Sequence, residues 1–244
     1  MVKSMLYTSL LGAAFVVSAG ETSHWSYEGQ DGPTHWAELA PDFSACSAGK
    51  NQSPVNITGA IDGNLPELSI SYQPGGSEVI NNGHTIQVNY LPGSFITVDG
   101  TDYELRQFHF HSPSENLIES QQYPMEVHFV HTDVNANLAV LAVMFSRGEE
   151  NPALKTIWQT MSEEVNSAAT LMHQVSAGEL IPEDRSYFRF NGSLTTPPCS
   201  EGVTWIVLQH TDDASDAQLN AFLQTLHHTN NRPVQPLNAR VVIR

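Results

Sequence analysis

Basic residues are scarce in this sequence. Lysine and arginine together number 10, against 26 aspartate and glutamate residues, which gives a formal net charge of −16 at pH 7. A surface of that sign repels phosphate backbones and anionic membrane surfaces. The composition therefore argues against nucleic acid as a partner, and a solvated acidic surface is the simplest interpretation of the charge.

Long hydrophobic runs are also absent. The N-terminus carries Lys3, an apolar stretch of about a dozen residues and then "VSA" at residues 17–19, a small-residue cleavage pattern. A transmembrane helix needs about 20 consecutive apolar residues, more than this stretch provides. We therefore expect residues 1–19 to be a signal peptide, with no membrane anchor. The mature chain, residues 20–244, would form a single domain exported to the periplasm or secreted.

Cysteine is nearly lacking, because Cys46 and Cys199 are the only two in the sequence. Neither belongs to a Cys-x-x-Cys pair, so a thiolate zinc site or a thioredoxin-like redox centre has little support. An even count in an exported chain favours a disulfide over two free thiols. We therefore predict a bridge between Cys46 and Cys199.

Helical patterns are found in only two stretches, residues 151–165, with Asn151 as N-cap before Pro152, and residues 211–228. Strand-like alternation dominates the rest, in "ELSISY", "HTIQVNY", "SFITVDG", "YELRQFHFH", "MEVHFVHT", "NLAVLAVMFS" and "VTWIVLQH". "NLAVLAVMF" is apolar at nearly every position, which predicts a central strand covered on both faces. We predict an α+β fold: a single domain with a large central, mainly antiparallel twisted β-sheet and a few peripheral helices.

The stretch "QFHFHSPSEN", residues 107–116, places two histidines on a predicted strand. Side chains alternate along a strand, so Gln107, His109 and His111 share one face, while Phe108 and Phe110 point to the other. A His-x-His pair occurs by chance and in several unrelated metal-binding folds. A third ligand is therefore needed to distinguish a metal site from core histidines.

The stretch "PMEVHFVHT" supplies a third histidine. Alternation places Glu126, His128 and Val130 on one face and His131 on the opposite one. We expect His131 to be a buried, hydrogen-bonded core residue. On both strands a polar acceptor precedes a histidine by two residues, as Gln107 does for His109.

Three histidines that leave one coordination position open are typical of a catalytic zinc, whereas a structural zinc takes a fourth protein ligand. If the two strands are neighbours, His109, His111 and His128 converge. Gln107 and Glu126 could then accept the second ring N–H of two of them, as zinc sites require. On the residues alone, ordinary core histidines stay an alternative.

Four motifs, "QFHFH", "MEVHFVH", "GSLTTPPCSEGVTWIVL" and "NNRPVQPLN", resemble the α-class carbonic anhydrases in wording and order. The similarity runs from "HWSYEGQDGPTHW" through "KNQSPVNI" to "RPVQPLNAR", and the chain looks most like the bacterial exported members. The resemblance implies one catalytic domain of that fold over residues 20–244. It also implies a lyase activity, the reversible hydration of carbon dioxide to bicarbonate and a proton by a zinc-bound hydroxide.

The resemblance further implies roles for individual residues. His109, His111 and His128 would hold zinc, with Gln107 and Glu126 behind them, and His111 would donate to a carbonyl near Asn230. Thr195 would accept the hydroxide proton in a hydrogen bond and donate its own to Glu115, and His84 in "INNGHT" would be the proton shuttle. The polar side of the cavity would comprise Tyr27, Asn82 and Gln87. The substrate pocket would comprise Val130, Val140, Leu194, Thr196 and Trp205.

Three alternatives remain open. A carbonic-anhydrase-like chain can bind partners in the periplasm without catalysis, although such chains typically lack a zinc histidine. Another zinc or iron hydrolase, esterase-like, could use His-x-His, but it would be expected to lack "SLTTPP". A metal-buffering protein could use the 11 histidines, but they are dispersed and form no His-rich tract. A homodimer is also an open alternative, but no residue in the sequence supports one.

Overall fold

The computed structural model describes residues 24–244. The predicted signal peptide, residues 1–19, lies outside the described residues. The strands are β1 Asn56–Ile57, β2 Ser69–Ser71, β3 Gly76–Asn81, β4 Ile86–Tyr90, β5 Phe95–Val98, β6 Thr101–His111, β7 Leu117–Ile118, β8 Met125–Thr132, β9 Leu138–Arg147, β10 Ser167–Val175, β11 Tyr187–Ser193, β12 Glu201–Leu208 and β13 Asp212–Ala214. The α-helices are α1 Trp36–Leu39, α2 Ala45–Ala48, α3 Pro152–Trp158 and α4 Asp216–Leu226, and short 3-10 helices cover Gly29–Asp31, Pro41–Phe43 and Ala177–Leu180.

One 11-stranded sheet organises the described part of the chain. Its main path runs β10-β3-β4-β6-β8-β9-β12-β11, with β13 paired to β9, β5 to β6 and β2 to β5. The pairs in this sheet are antiparallel, except that β12 and β13 run parallel to β9. The predicted mainly antiparallel sheet with few helices is confirmed. No helix within residues 24–244 is long and apolar enough to cross a membrane.

Strand β9 is the central strand that its continuous apolar sequence predicts. It lies between β8 and β12, and its residues 139–145 are all buried. Alternation divides them: Leu141 and Phe145 belong to the core on one face, whereas Val140 and Met144 belong to the core on the other. Burial of each such side chain contributes about 1.5–3 kcal/mol, so this strand fixes the sheet between two apolar layers.

Both predicted helices form, but they are shorter than expected. The Asn151 side chain accepts hydrogen bonds from the backbone N–H groups of Ala153 and Leu154, which confirms the start of α3. The helix ends at Trp158, because the chain then turns to enter β10. In this turn the Asn81 side-chain amide donates a hydrogen bond to the Ser162 carbonyl. The expected helix to residue 165 was therefore wrong at its C-terminal end.

The second predicted helix, α4, is reduced to Asp216–Leu226 because residues 212–214 form β13. Ser215 and Gln218 make a capping box, in which each side chain binds the other's backbone N–H. Strands β3, β10 and β11 were not predicted, and neither were the short strands β1, β7 and β13. β10 alternates poorly, with polar residues and alanines along an exposed edge strand, so its pattern gives little signal.

Candidate active site

The register of β6 and β8 brings the three histidines together. The strands are antiparallel neighbours, His109 lies opposite His128, and His111 lies opposite Glu126. One ring nitrogen from each of the three histidines lies within 4.8 Å of the others. The convergence expected from strand alternation is confirmed.

Hydrogen bonds fix which nitrogen of two histidines carries a lone pair. His109 Nδ1 donates to Gln107 Oε1 over 2.8 Å, and His111 Nδ1 donates to the Asn230 carbonyl over 2.7 Å. Because both partners are acceptors, Nδ1 carries the proton and Nε2 the lone pair in each ring. His111 Nε2 is buried and has no hydrogen-bond partner within residues 24–244. A buried nitrogen with an unshared lone pair is a group that a metal ion would satisfy.

Glu126 orders the third histidine and the loop beyond it. Its Oε2 accepts from the backbone N–H groups of Glu115 and Asn116 at 2.7 and 2.9 Å, and its Oε1 accepts from Asn116 Nδ2 at 2.7 Å. His128 Nε2 lies 2.9 Å from Oε1, although its N–H is not aimed at that oxygen. Nε2 thus faces the carboxylate, while Nδ1 faces the side where Glu115 Oε2 lies, 3.9 Å away.

Burial keeps the three imidazoles neutral. Desolvation lowers the pKa of His109, His111 and His128, and for His109 and His128 the charge of a neighbouring imidazole lowers it further. For His111 the Asn230 carbonyl opposes the shift. Three neutral nitrogens in a buried cluster form the donor set that zinc accepts, so the residues fit a zinc ion.

Glu115 and Thr195 lie beside the cluster, and both are buried. Glu115 Oε1 accepts the backbone N–H of Arg232 over 2.8 Å. Burial raises the pKa of Glu115 to about 8, while the Arg232 N–H and the nearby Thr195 side chain act in the opposite direction and lower it. Its Oε2 has no hydrogen-bond partner in the described chain and lies 3.6 Å from His111 Nε2, so it borders the space between the ligands.

Arg232 is a buried cation that sequence reasoning missed. Its guanidinium donates to Gln52 Oε1, Ser53 O and Cys46 O at 3.0, 2.7 and 2.9 Å. Cys46 in turn forms the predicted disulfide with Cys199, which is confirmed and spans 153 residues of sequence. Arg232 therefore ties the disulfide segment to the backbone that holds Glu115. The "NNRP" motif contained this residue, but no pattern indicated that it would be buried.

A small polar cavity of about 140 Å³ opens beside the histidines. It is lined by Trp25, Tyr27, Asn82, His84, Thr85, Gln87, Gln107, His109, His111 and Thr196. The predicted polar residues thus lie together, and Trp25 and Thr85 are additions. A larger open depression of about 830 Å³, bordered by Asp62, Glu183 and Arg185, contains none of these residues, and we assign it no part in the chemistry.

His84 lies half-buried where this cavity meets a second one nearer the N-terminal segment. Its ring stacks on Trp25, with centroids 3.8 Å apart and planes inclined by 8°. Burial lowers the pKa of His84, and His24 and His228 lower it further. The imidazole is therefore held in its neutral form, which can accept a proton.

The predicted apolar pocket residues pack in one cluster. Val140 and Trp205 are buried in it, and Val130 and Leu194 pack against it. The Trp205 ring meets the His128 ring edge to face, with centroids 4.9 Å apart. None of the four lines the polar cavity. Polar and apolar residues therefore occupy different sides of the histidine cluster.

His131, which alternation places on the far side of β8, is buried as expected. Its Nε2 lies 2.6 Å from the Tyr72 hydroxyl and its Nδ1 lies 3.3 Å from the Ala139 carbonyl. The prediction of a hydrogen-bonded core histidine is confirmed.

Comparison with known proteins agrees with this geometry. The family model for eukaryotic-type carbonic anhydrase matches residues 31–244. A carbonic anhydrase of Pectobacterium atrosepticum is 47% identical over 96% of this chain and 96% of its own length. One from Neisseria gonorrhoeae is 50% identical over 94% of this chain and 92% of its own.

A solved structure shows the same fold. The α-carbonic anhydrase of Thermovibrio ammonificans, in complex with the inhibitor sulfanilamide, superposes with a TM-score of 0.90. It is 46% identical to this chain, and the match covers 92% of this chain and 100% of that one. The chain belongs to the eukaryotic-type carbonic anhydrase family.

Proposed function

We propose that His109, His111 and His128 hold the zinc ion with which this carbonic anhydrase reversibly hydrates carbon dioxide to bicarbonate and a proton. The observation that carries the assignment is the buried, unpartnered Nε2 of His111, close to a nitrogen of each of the other two rings. When bound, a zinc ion held by three histidines, for which carbonic anhydrase is the standard example, acts as a Lewis acid that lowers the pKa of water to about 7.

The Glu115–Thr195 pair orients the nucleophile. An ionised Glu115 would accept a hydrogen bond from the nearby Thr195 hydroxyl, whose oxygen would then be left as an acceptor. It can then accept a hydrogen bond from an O–H group in the space between the histidines, which leaves that oxygen's lone pair free for carbon dioxide. The Arg232 backbone N–H holds the carboxylate in place, and the Thr195 hydroxyl would be its second donor.

The apolar cluster supplies the substrate position. Carbon dioxide is linear and uncharged, so it needs an apolar wall beside the nucleophile and no cationic clamp. Val130, Val140, Leu194 and Trp205 supply such a wall next to His128. Thr196, which lines the polar cavity, would contact bicarbonate from the opposite side.

His84 carries the product proton to solvent. Each hydration releases a proton, and a neutral imidazole at the cavity mouth can accept it and pass it to buffer. The lowered pKa of His84 leaves the ring neutral before each transfer and favours release of the proton to buffer. Tyr27, Asn82 and Gln87 line the same cavity and would order the water through which the proton moves.

We also propose that the protein works outside the cytoplasm. The Cys46–Cys199 disulfide supports this, because such bridges persist in oxidising compartments and are rare in the cytosol. Cell fractionation with N-terminal sequencing tests the proposal. We expect a periplasmic or secreted chain beginning at Gly20, and a full-length chain confined to the cytoplasm would contradict it.

Zinc analysis of alanine variants tests the ligand assignment. His109→Ala, His111→Ala and His128→Ala should each lose most bound zinc and carbon dioxide hydration, because two histidines are too few to hold the ion tightly. His173→Ala, which removes an exposed histidine on β10, is the matched control and should keep both. Full zinc content and activity in His111→Ala would refute the assignment.

The shuttle needs a separate experiment. His84→Ala should slow turnover in weak buffer and recover when imidazole is added, with kcat/KM for carbon dioxide unchanged. Wild-type turnover of His84→Ala in weak buffer would remove His84 from the mechanism and leave the zinc assignment intact.

A further inference from the structure

His228 is a second histidine near His84, in the cavity next to the active-site cavity. It follows α4 and is half-buried. Together with His84 it lines a cavity of about 240 Å³, which is also lined by His24, Trp25 and Tyr27 of the N-terminal segment. The proposed function gives it no role.

Both ring nitrogens of His228 face backbone carbonyls. Nδ1 lies 2.9 Å from Thr229 O, and Nε2 lies 3.2 Å from Gly83 O. A carbonyl oxygen can only accept, and a neutral imidazole has only one N–H to donate. Either neutral tautomer therefore sets one ring lone pair against an oxygen lone pair. The imidazolium form, with two N–H groups, satisfies both contacts.

One of these two carbonyls, that of Gly83, belongs to the turn that carries His84. Asn82 Oδ1 accepts the backbone N–H groups of His84 and Thr85 at 3.0 and 2.9 Å, which closes the turn. Asn230 Nδ2 donates to His84 O over 3.0 Å, while His228 contacts the carbonyl of Gly83. Residues 228–230 thus hold the His84 turn at two successive carbonyls.

We propose that His228 is a protonated positioning residue for His84, whose two N–H groups fix the turn and whose positive charge keeps the neighbouring imidazole neutral and ready to take a proton. The proposal rests on the shuttle role of His84 proposed above. It is supported by the lowered pKa of His84, to which burial contributes most, followed by His24 and His228.

The other groups around this cavity do not replace the charge of His228. From the N-terminal segment, Tyr27 is an uncharged phenol whose pKa burial raises, and Glu28 carries an exposed carboxylate. His24 is exposed and lies 3.7 Å from its partner Asp31. His228 is held on both ring nitrogens, and that distinguishes it from these groups.

The test is a histidine NMR titration of the zinc-loaded full chain. His228→Gln removes the charge while its amide can still donate to Gly83 O. His227→Asn is the matched control, because His227 is exposed and in the left-handed region that asparagine tolerates. We expect the ¹⁵N shifts of a doubly protonated His228 ring at pH 7 in the wild type. In His228→Gln the midpoint of the His84 titration should move upward by about half a pH unit, and in the control it should stay.

Either a single neutral tautomer of His228 at pH 7 or an unmoved His84 midpoint in His228→Gln would overturn the proposal. Kinetic measurements distinguish an electrostatic effect of His228 on the His84 titration from a merely structural role of His228. The pH inflection of kcat in weak buffer should move upward with the His84 midpoint, while kcat/KM stays constant. A fall in kcat with an unmoved inflection would contradict the electrostatic role. If His84→Ala has wild-type turnover, the shuttle fails, and the NMR titration still decides the protonation of His228 and its effect on His84.

Discussion

Glu126→Gln is the substitution whose effect follows most directly from the hydrogen bonds of the site. The Glu126 carboxylate is fully buried and accepts three hydrogen bonds, from donors of Glu115 and Asn116. Oε2 receives the backbone N–H groups of Glu115 and Asn116, while Oε1 receives Asn116 Nδ2 and lies 2.9 Å from His128 Nε2. A glutamine has the same shape but replaces one acceptor oxygen with an NH₂ donor.

Both orientations of the new amide are unfavourable. If its NH₂ replaces Oε2, two buried backbone N–H groups lose their acceptor. If it replaces Oε1, Asn116 Nδ2 loses its acceptor, and His128 Nε2 faces a donor. A buried donor left without a partner costs about 1–3 kcal/mol in the free energy of unfolding, so the second orientation, which orphans one donor, sets the expected loss at about that size. Loss of the acceptor behind a zinc-binding histidine also lowers metal affinity by about 10–100-fold.

Two measurements check this prediction. Urea unfolding of the metal-free variant gives the stability change, and competition with a chelator of known affinity gives the zinc Kd. Glu119→Gln is the matched control, because it makes the same chemical change at an exposed site of the same segment. A Glu126→Gln protein with a zinc Kd within about twofold of the wild type and unchanged unfolding would refute the account of Glu126.

Three further predictions concern the relay, the disulfide and the core histidine. Thr195→Val removes the hydroxyl that binds Glu115 and should lower kcat/KM about 100-fold through loss of orientation, with zinc content unchanged; stopped-flow rates near wild type would contradict the relay. Replacing Cys46 and Cys199 by serine removes a bridge that spans 153 residues and should lower the free energy of unfolding in urea by about 2–5 kcal/mol; no measurable loss would refute this. Burial lowers the pKa of His131 to about 3. The contribution of the neutral ring to stability is therefore complete above about pH 6.5, the usual histidine pKa, and is lost as the pH falls from there toward the folded-state pKa of about 3. His131→Gln should therefore reduce the slope of unfolding free energy against pH by up to about 1.4 kcal/mol per pH unit between these limits in metal-free protein, and an unchanged slope would exclude His131 as the cause.

Strand alternation predicted which strand faces the three histidines occupy, because that pattern is local, but their convergence depended on the assumption that the two strands are neighbours. The faces assigned to His109, His111 and His128 follow from a period of two residues, and the register of β6 and β8 makes them meet. The start of α3 was predictable for a similar reason, since the Asn151 cap and Pro152 are local signals.

Residues from distant parts of the chain could not be predicted in this way. Arg232, Asn230 and His228 reach the site through the loop after α4, and nothing in their local pattern fixes where that loop runs. The role of Glu115 rested on the family resemblance, because an isolated loop carboxylate has no periodicity to interpret. The end of α3 at Trp158 depends on pairing of β10 with β3, which is a tertiary contact.

Metal removal and restoration test the central claim most directly. The chain is stripped of metal with a chelator, zinc is added back in steps, and carbon dioxide hydration is followed by stopped-flow with a pH indicator. The account predicts no hydration above buffer in the metal-free chain and activity that rises in proportion to zinc until each chain holds a single ion. Undiminished hydration without metal, or no hydration in a fully zinc-loaded chain, would contradict it.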